Sequence, residues 1–337
     1  MIVDTGMELR DVSFATIEGH DRPITILKRA LAHDALAHAY LFSGEEGIGK
    51  KMTAYALAAA VNCASPSATG GCGVCASCRK VASQGHPDVR LLAADGDEIK
   101  IDQIRQVQDD LALRPFEGTK KVLIVDGADA MNQASANAFL KTLEEPPGDA
   151  LIVLITALPQ SLLATIRSRC QEIRFLPLPR HTLAQTLMNK RGLSEQDAWF
   201  LAALAQGSLG RGLAMDSEQE KTDRKEIIEL LCRASSSGPG EALSQAEAFS
   251  KDRARLERML EIGVEWLRDA VVFRMTGDDK LLVHAQGKDL CGEQGGGLSL
   301  PRMLADLELF FASRGMLGRR VSAQLVAENL LLKLGKG

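Results

Sequence analysis

Residues 44–51 read Gly-Glu-Glu-Gly-Ile-Gly-Lys-Lys. The run follows an apolar tetrapeptide, Ala39-Tyr40-Leu41-Phe42, and precedes a segment, 50–62, without helix breakers. A strand, a glycine-rich turn and a helix in that order make a phosphate-binding loop. Gly44, Gly47 and Gly49 would let backbone N–H groups wrap an anion, the helix start would add its positive end, and Lys50 would reach the terminal phosphates of ATP or ADP. The plainer reading is a strand-to-helix turn that holds nothing. The run nearly fits G-x-x-x-x-G-K-[ST] but ends in Lys51. A hydroxyl there would hold Mg²⁺, whereas an ammonium repels it, and Thr53 comes two residues too late. Nucleotide binding is therefore expected to be weak at most, and efficient hydrolysis is not expected.

The segment 121–126 supplies the second nucleotide element. Val122-Leu123-Ile124-Val125 is an apolar strand ending in Asp126, the place of a metal-holding acid. The alternative role for Asp126 is a turn or cap acid. The next residue is Gly127, where many such ATPases carry a Glu that polarises the attacking water. Further strands are predicted at 89–92, 151–156 and 173–175. Helices are predicted at 22–36, 101–113 and 133–143, the last stopped by Pro146 and Pro147. Strands alternating with helices predict an α/β domain, a parallel sheet with helices on both faces. After Pro177 and Pro179 the pattern turns helical. Helices are expected at 182–189, 194–206, 223–233 and 321–334, with another opening at Ser299-Leu300-Pro301. The strongest, 253–273, places Leu256, Met259, Leu260, Val264, Leu267 and Val271 on one face. Residues 234–240 read as a linker and 292–297 as a flexible loop. The domains expected are 1–179, 180–216 and 217–337.

Four of seven cysteines are crowded as Cys63-x8-Cys72-x2-Cys75-x2-Cys78, among Gly70, Gly71 and Gly73. Four thiolates suit tetrahedral Zn²⁺ with no open position, so such a site would be structural. Free thiols and an iron–sulfur cluster are the other readings. Cys170, Cys232 and Cys291 are scattered and read as small buried hydrophobes. With 40 Lys+Arg against 44 Asp+Glu, the net charge of -4 excludes a chain-wide basic DNA coat. Aromatic residues at 4% argue against rows of rings stacking on a single strand. The longest largely apolar stretch, 150–158, is too short for a membrane span, and the start lacks a basic-then-apolar leader. A cytoplasmic location is the expectation.

Ile166-Arg167-Ser168-Arg169-Cys170 follows the 151–156 strand through a loop. Arg169 there is either a surface charge or an arginine finger offered to a neighbour's nucleotide. Together the motifs resemble the AAA+ clamp-loader subunits of bacterial DNA polymerase III over about 14–213. They are His38-Ala39-Tyr40-Leu41-Phe42, the cysteine knuckle, 137–147 (Asn-Ala-Phe-Leu-Lys-Thr-Leu-Glu-Glu-Pro-Pro) and Ser168-Arg169-Cys170. Within that family, His86-Pro87-Asp88 and Ile101-Asp102-Gln103-Ile104-Arg105 resemble the delta-prime branch. Lys51 and Gly127 depart from the gamma/tau motor, which carries Lys-Thr or Lys-Ser and Asp-Glu. The motor's Gly-Ser-x-Arg pattern appears as Gly207-Ser208-Leu209-Gly210-Arg211, with the Arg one residue late.

The resemblance implies a RecA-like AAA+ module, a helical lid and a helical collar. It implies a five-subunit ring with gamma/tau and delta subunits that loads a sliding clamp on primed DNA. Arg169 would serve a motor neighbour, and Thr156 falls near the family's sensor-1 position. Two other functions compete: an active AAA+ ATPase using Lys50 and Asp126, opposed by Lys51 and Gly127, and a zinc-dependent DNA-binding regulator, opposed by the acidic charge.

Overall fold

A computed structural model describes residues 12–67, 70–234, 238–278, 281–282, 299–319 and 321–334. The loop expected at 292–297, Cys291 and the side chain of Cys232 lie outside the described residues. The chain divides into two compact units. The first comprises Met1–Thr186 and Ala205–Leu213, the second Leu187–Leu204 and Ala214–Gly337.

In the first unit, five strands form one parallel sheet: β1 (Ala39–Ser43), β2 (Val89–Leu92), β3 (Val122–Asp126), β4 (Leu151–Thr156) and β5 (Gln171–Arg174), in the order β2-β3-β4-β1-β5. Successive side chains on a strand point to opposite faces, so a strand buried on both sides reads as an unbroken apolar run. β3 shows the consequence. Val122 and Ile124 join Tyr40, Phe42, Val153 and Ile155 on one face, while Leu123 and Val125 join Leu41, Ile152 and Leu154 on the other. Helices α1 (Asp21–Ala32) and α2 (Lys50–Val61) cover the first face. Five buried alanines of α2, Ala54, Ala56, Ala58, Ala59 and Ala60, let it lie close against its neighbours. Helices α4 (Ile101–Leu111) and α5 (Gln133–Glu144) cover the second face through Ile104, Val107, Phe139 and Leu143.

Some boundaries differ from the sequence reading. α1 ends at Ala32, because Asp34 turns into the left-handed region at φ 48°. The last strand begins at Gln171 rather than 173. Only Ile173 of β5 is buried, so its edge position carries almost no apolar signal. Three short helices escaped the sequence pattern, α3 (Ala76–Ala82), α6 (Ala164–Arg167) and the one at Leu209–Ala214. Beyond the sheet run α7 (Arg180–Arg191), α8 (Glu195–Leu204) and α9 (Leu209–Ala214).

The described part of the second unit is helical: α10 (Ser217–Ala234), α11 (Pro239–Ser250), α12 (Arg253–Thr276), α13 (Leu300–Gly318) and α14 (Ala323–Leu334), with α8 against α10. α11 corrects the linker reading at 234–240: Pro239 and Gly240 begin a helix, and proline suits a first turn whose N–H groups have no partner in the helix. α12 buries a wider arc than one stripe. Ile262 and Trp266 are buried beside Leu256, Met259, Leu260 and Leu267, whereas Val264 and Val271 are half-buried. The cause is packing against both α10 and α13. On the α13 side Gly263 is necessary, since a Cβ there would lie 2.1 Å from Phe310 Cε1. On the α10 side Arg224 pairs with Glu265 at 2.7 Å, both largely buried. Among the described residues no helix is long and apolar enough to cross a membrane.

Candidate functional site

Strand register decides which residues meet. Ser43 pairs with Thr156, and Asp126 with Ile155, so β1, β3 and β4 end together at one edge of the sheet. In open parallel sheets that carboxyl edge is where ligands bind. The loop after β1 therefore lies beside Asp126 and Thr156.

The loop has the backbone of an anion cradle. Gly44, Gly47 and Gly49 have φ of 147°, 71° and 107°. A Cβ at Gly44 would come within 2.5 Å of Phe175 O, and one at Gly47 within 2.4 Å of Ser208 Oγ. Gly49 leads into α2, whose first N–H groups face the loop. Lys50 is buried, and its ammonium donates to Gly44 O and Glu45 O, each at 2.5 Å. Burial lowers its pKa, opposed by the nearby acids Glu46, Asp126, Asp129 and Glu45.

His20 and Asp129 contribute to this site without a sequence signal, and the segment at 207–211 contributes through backbone contacts that its motif does not announce. His20 Nε2 donates to Ile48 O at 2.5 Å, and its ring meets Phe175 edge-on at 5.0 Å. Burial lowers its pKa, so the ring is a neutral brace of the loop. Asp129 accepts the hydroxyl proton of Thr156, which in turn accepts from Leu158 N at 2.9 Å. The segment at 207–211 docks its backbone on the loop. Gly210 N donates to Gly47 O at 2.9 Å, and a Cβ at Gly210 would lie 2.9 Å from that oxygen. The glycine in place of the motor's arginine thus allows close approach, while Arg211 is exposed.

The metal-binding half of the site is altered. Lys51 Nζ lies 3.3 Å from Asp126 Oδ2, so the acid that would hold Mg²⁺ is ion-paired within the fold. The donor set contains an ammonium where a hydroxyl is needed and does not fit Mg²⁺. Gly127 has φ 72°, a conformation that a glutamate would adopt only with strain.

Arg169 lies elsewhere. It precedes β5, whose Gln171 pairs with Tyr40 near the start of β1. It therefore belongs to the amino edge of the sheet. About five residues of strand, roughly 15 Å, separate that level from the nucleotide loop. Arg169 Nη2 donates to Glu144 Oε1 at 2.6 Å, and Nη1 to Thr165 O at 2.9 Å. Glu144 ends α5, and the preceding residue's carbonyl, Leu143 O, accepts from His38 Nε2 at 3.1 Å.

The cysteines also converge. The four Sγ atoms of Cys63, Cys72, Cys75 and Cys78 lie within 4.8 Å of one another, near the edge of about 3.8 Å for a tetrahedron of 2.3 Å Zn–S bonds. Backbone N–H groups of Cys72, Cys75 and Cys78 point at sulfurs at 3.2–3.4 Å, as thiolate ligands require. Burial raises the Cys75 thiol, but the N–H groups of Cys78 and Ala64 and the neighbouring thiols outweigh it and bring it down to about 6. The donor set fits zinc, which would supply a structural crosslink. Cys170 lies apart, and burial pushes its thiol up to about 12, an unreactive state.

The knuckle is tied to the sheet. Lys80 of α3 pairs with Glu117 at 2.5 Å. Asp88 accepts from the backbone N–H groups of Phe116, Glu117 and Gly118 at 2.7, 2.9 and 2.8 Å, which explains the His86-Pro87-Asp88 signature. Burial raises the Asp88 carboxyl, yet these donors hold it below the ordinary carboxylate range. Its stabilisation is therefore full above the unfolded value of about 3.9 and is lost as pH falls through the lower folded value. Asp88→Ala is expected to cost about 3 kcal/mol at neutral pH by leaving three donors without an acceptor, a deficit that shrinks in acid; urea melts at several pH values check this.

A parallel sheet, a glycine loop opening a helix and an acid-ended strand define a P-loop module of the AAA+ class. A family model described as the DNA polymerase III delta subunit matches residues 19–179. DNA polymerase III subunit delta′ of Bacillus subtilis is 32% identical over 265 residues, covering 77% of this chain and 80% of that protein. The chain belongs to the delta-prime family of DNA polymerase III clamp-loader subunits. The delta′ subunit of Pseudomonas aeruginosa is 36% identical over 198 residues, 57% of this chain and 60% of that one. The tau subunit of Escherichia coli is 32% identical over 283 residues, 80% of this chain but 43% of tau. A solved DNA polymerase III gamma subunit-related protein from Thermotoga maritima shares the fold at TM-score 0.50 and 19% identity, covering 93% of this chain and 99% of that one.

Proposed function

We propose that this clamp-loader subunit does not hydrolyse ATP itself and serves a neighbouring motor subunit through Arg169. The Lys51–Asp126 ion pair at 3.3 Å carries the reading, because it sets an internal cation against the acid that Mg²⁺ would need. Gly127, without a base, agrees with it. Arg169 supports the second half: on the amino edge it is out of reach of its own loop, so a nucleotide it touches must belong to another chain.

The neighbours are gamma/tau and delta subunits in a five-membered ring, and the ring opens a sliding clamp and places it on primed DNA. The chain would be organised as an AAA+ module at 1–179, a lid at 180–216 and a collar at 217–337 that closes the ring in the cytoplasm. Exposed Leu304 and Phe311, seven residues apart on α13, support a collar that packs against other subunits. Zn²⁺ on Cys63, Cys72, Cys75 and Cys78 would fix the knuckle. Gly44, Gly47, Gly49 and Lys50 would form a weak nucleotide cradle, with Thr156 beside it.

Reconstitution tests the assignment. Mixed with gamma/tau and delta subunits, the full chain should co-elute as one complex, and clamp loading should fail when it is left out. A chain that stays apart, or loading that proceeds without it, would overturn the assignment.

A further inference from the structure

The two halves of the nucleotide site have diverged unequally. The anion cradle is intact: three glycines hold left-handed backbone, α2 begins at the loop, and Lys50 is 6% exposed. Lys50 touches only carbonyl oxygens, those of Gly44 and Glu45, and among the described residues no carboxylate forms an ion pair with it. A buried ammonium without a contacting counter-ion is costly, and an anion in the loop would relieve that cost. The metal half is not intact, since Lys51 and Asp126 neutralise each other.

An ammonium has three donors, and Asp126 engages at most part of them. The rest can meet phosphate oxygens. Lys51 leaves the first turn of α2 on the side of Asp126, the acid to which its ammonium pairs. Its single charge would replace part of the charge that Mg²⁺ supplies elsewhere. Glu45 and Glu46 oppose an incoming anion, but both are exposed and therefore screened. They moderate affinity without closing the cradle.

We propose that the loop binds a nucleoside triphosphate without a divalent cation, with the Lys51 ammonium in the place of Mg²⁺ and Lys50 as the second cation. This rests on the non-hydrolysing reading and adds what the site still does: it holds a nucleotide without consuming it. The ligand would then brace the loop against the segment at 207–211 that docks on Gly47.

The test is calorimetric titration of ATP into the full-length, zinc-loaded chain, in magnesium-free buffer and in Mg²⁺ at matched ionic strength. No chelator is used, so that the cysteine site keeps its metal. ATP should bind at least as tightly without Mg²⁺ as with it. Lys51→Thr should weaken metal-free binding about tenfold, the size of one charge-assisted hydrogen bond, and Mg²⁺ should restore it. Lys50→Ala should lose binding in both buffers, and an unchanged melting temperature confirms that each variant folds. Binding that requires Mg²⁺ in the unaltered chain overturns the proposal. So does identical Mg²⁺ dependence before and after Lys51→Thr. Absence of binding in either buffer also overturns it, yet leaves the clamp-loader assignment standing, because complex formation is scored separately. Turnover of ATP during the Mg²⁺ titration would sink both the proposal and the non-hydrolysing reading on which it rests.

Discussion

Arg169→Ala, introduced into this subunit alone, should lower ATP turnover at the adjacent motor site of a reconstituted loader by about 10³-fold, the low end of what an arginine finger contributes. The chain itself should be unaffected. The Arg169–Glu144 pair is partly exposed, so its loss costs at most about 1 kcal/mol of folding stability. Zinc content and ring assembly should also persist, since the hydrogen bonds of Arg169 run to Glu144 and Thr165 and not to the four clustered cysteines. Lysine should rescue poorly, because a planar guanidinium can bridge two oxygens and a point charge cannot. Glu144 refines the expectation. Its carboxylate fixes one end of the guanidinium at 2.6 Å, so Glu144→Gln should reduce turnover less than Arg169→Ala. DNA- and clamp-stimulated ATPase of the assembled loader is the measurement. Unchanged turnover and loading would reduce Arg169 to a surface charge.

Cys75→Ser should strip zinc and lower stability by about 3–5 kcal/mol, within the range for losing a structural metal ligand. The unaltered chain should carry about one zinc. Four thiols held within 4.8 Å of one another become a folding crosslink once the metal is bound, because no such cluster exists in the unfolded chain. The loss would spread beyond the knuckle. Cys63 and Cys78 are part of the core that includes Phe14, Ala59 and Val81. Lys80 of the knuckle helix ties the 116–118 loop through Glu117. Elemental analysis and thermal melting decide the matter. A zinc-free preparation that melts normally would refute it.

The sheet was legible where its strands are buried on both faces. β4 falls where the apolar run at 151–156 places it, and β3 within one residue of its expected start. β2, with Arg90 exposed, also falls at 89–92, whereas the edge strand β5 does not match its expected bounds. What failed was local structure set by something other than apolar spacing. α3 is capped by a cysteine sulfur, Cys75 Sγ accepting from Cys78 N, and is too short for periodicity. α11 starts in a Ser-Gly-Pro run that resembles a loop, although Ala242, Ala246 and Phe249 form a buried face.

The site was legible as motifs but not as contacts. Lys51 and Gly127 stand out against the gamma/tau motor's pattern, and their positions alone argue that hydrolysis is lost. That Lys51 meets Asp126 depends on strand order, which brings together residues far apart in the chain. The same holds for Glu144 on Arg169, His20 on Ile48 and Gly210 on Gly47. None of these pairs shares a helix or a strand, so no period in the sequence announces them.

Steady-state ATP hydrolysis by the isolated full-length chain, with Mg²⁺ present, separates a non-hydrolysing subunit from a motor. No turnover above background is expected, with or without Lys50→Ala, because both the metal ligand and the base are missing. Robust turnover that Lys50→Ala abolishes would contradict it: the Lys51–Asp126 pair would then open to admit a metal, and the chain would be a motor.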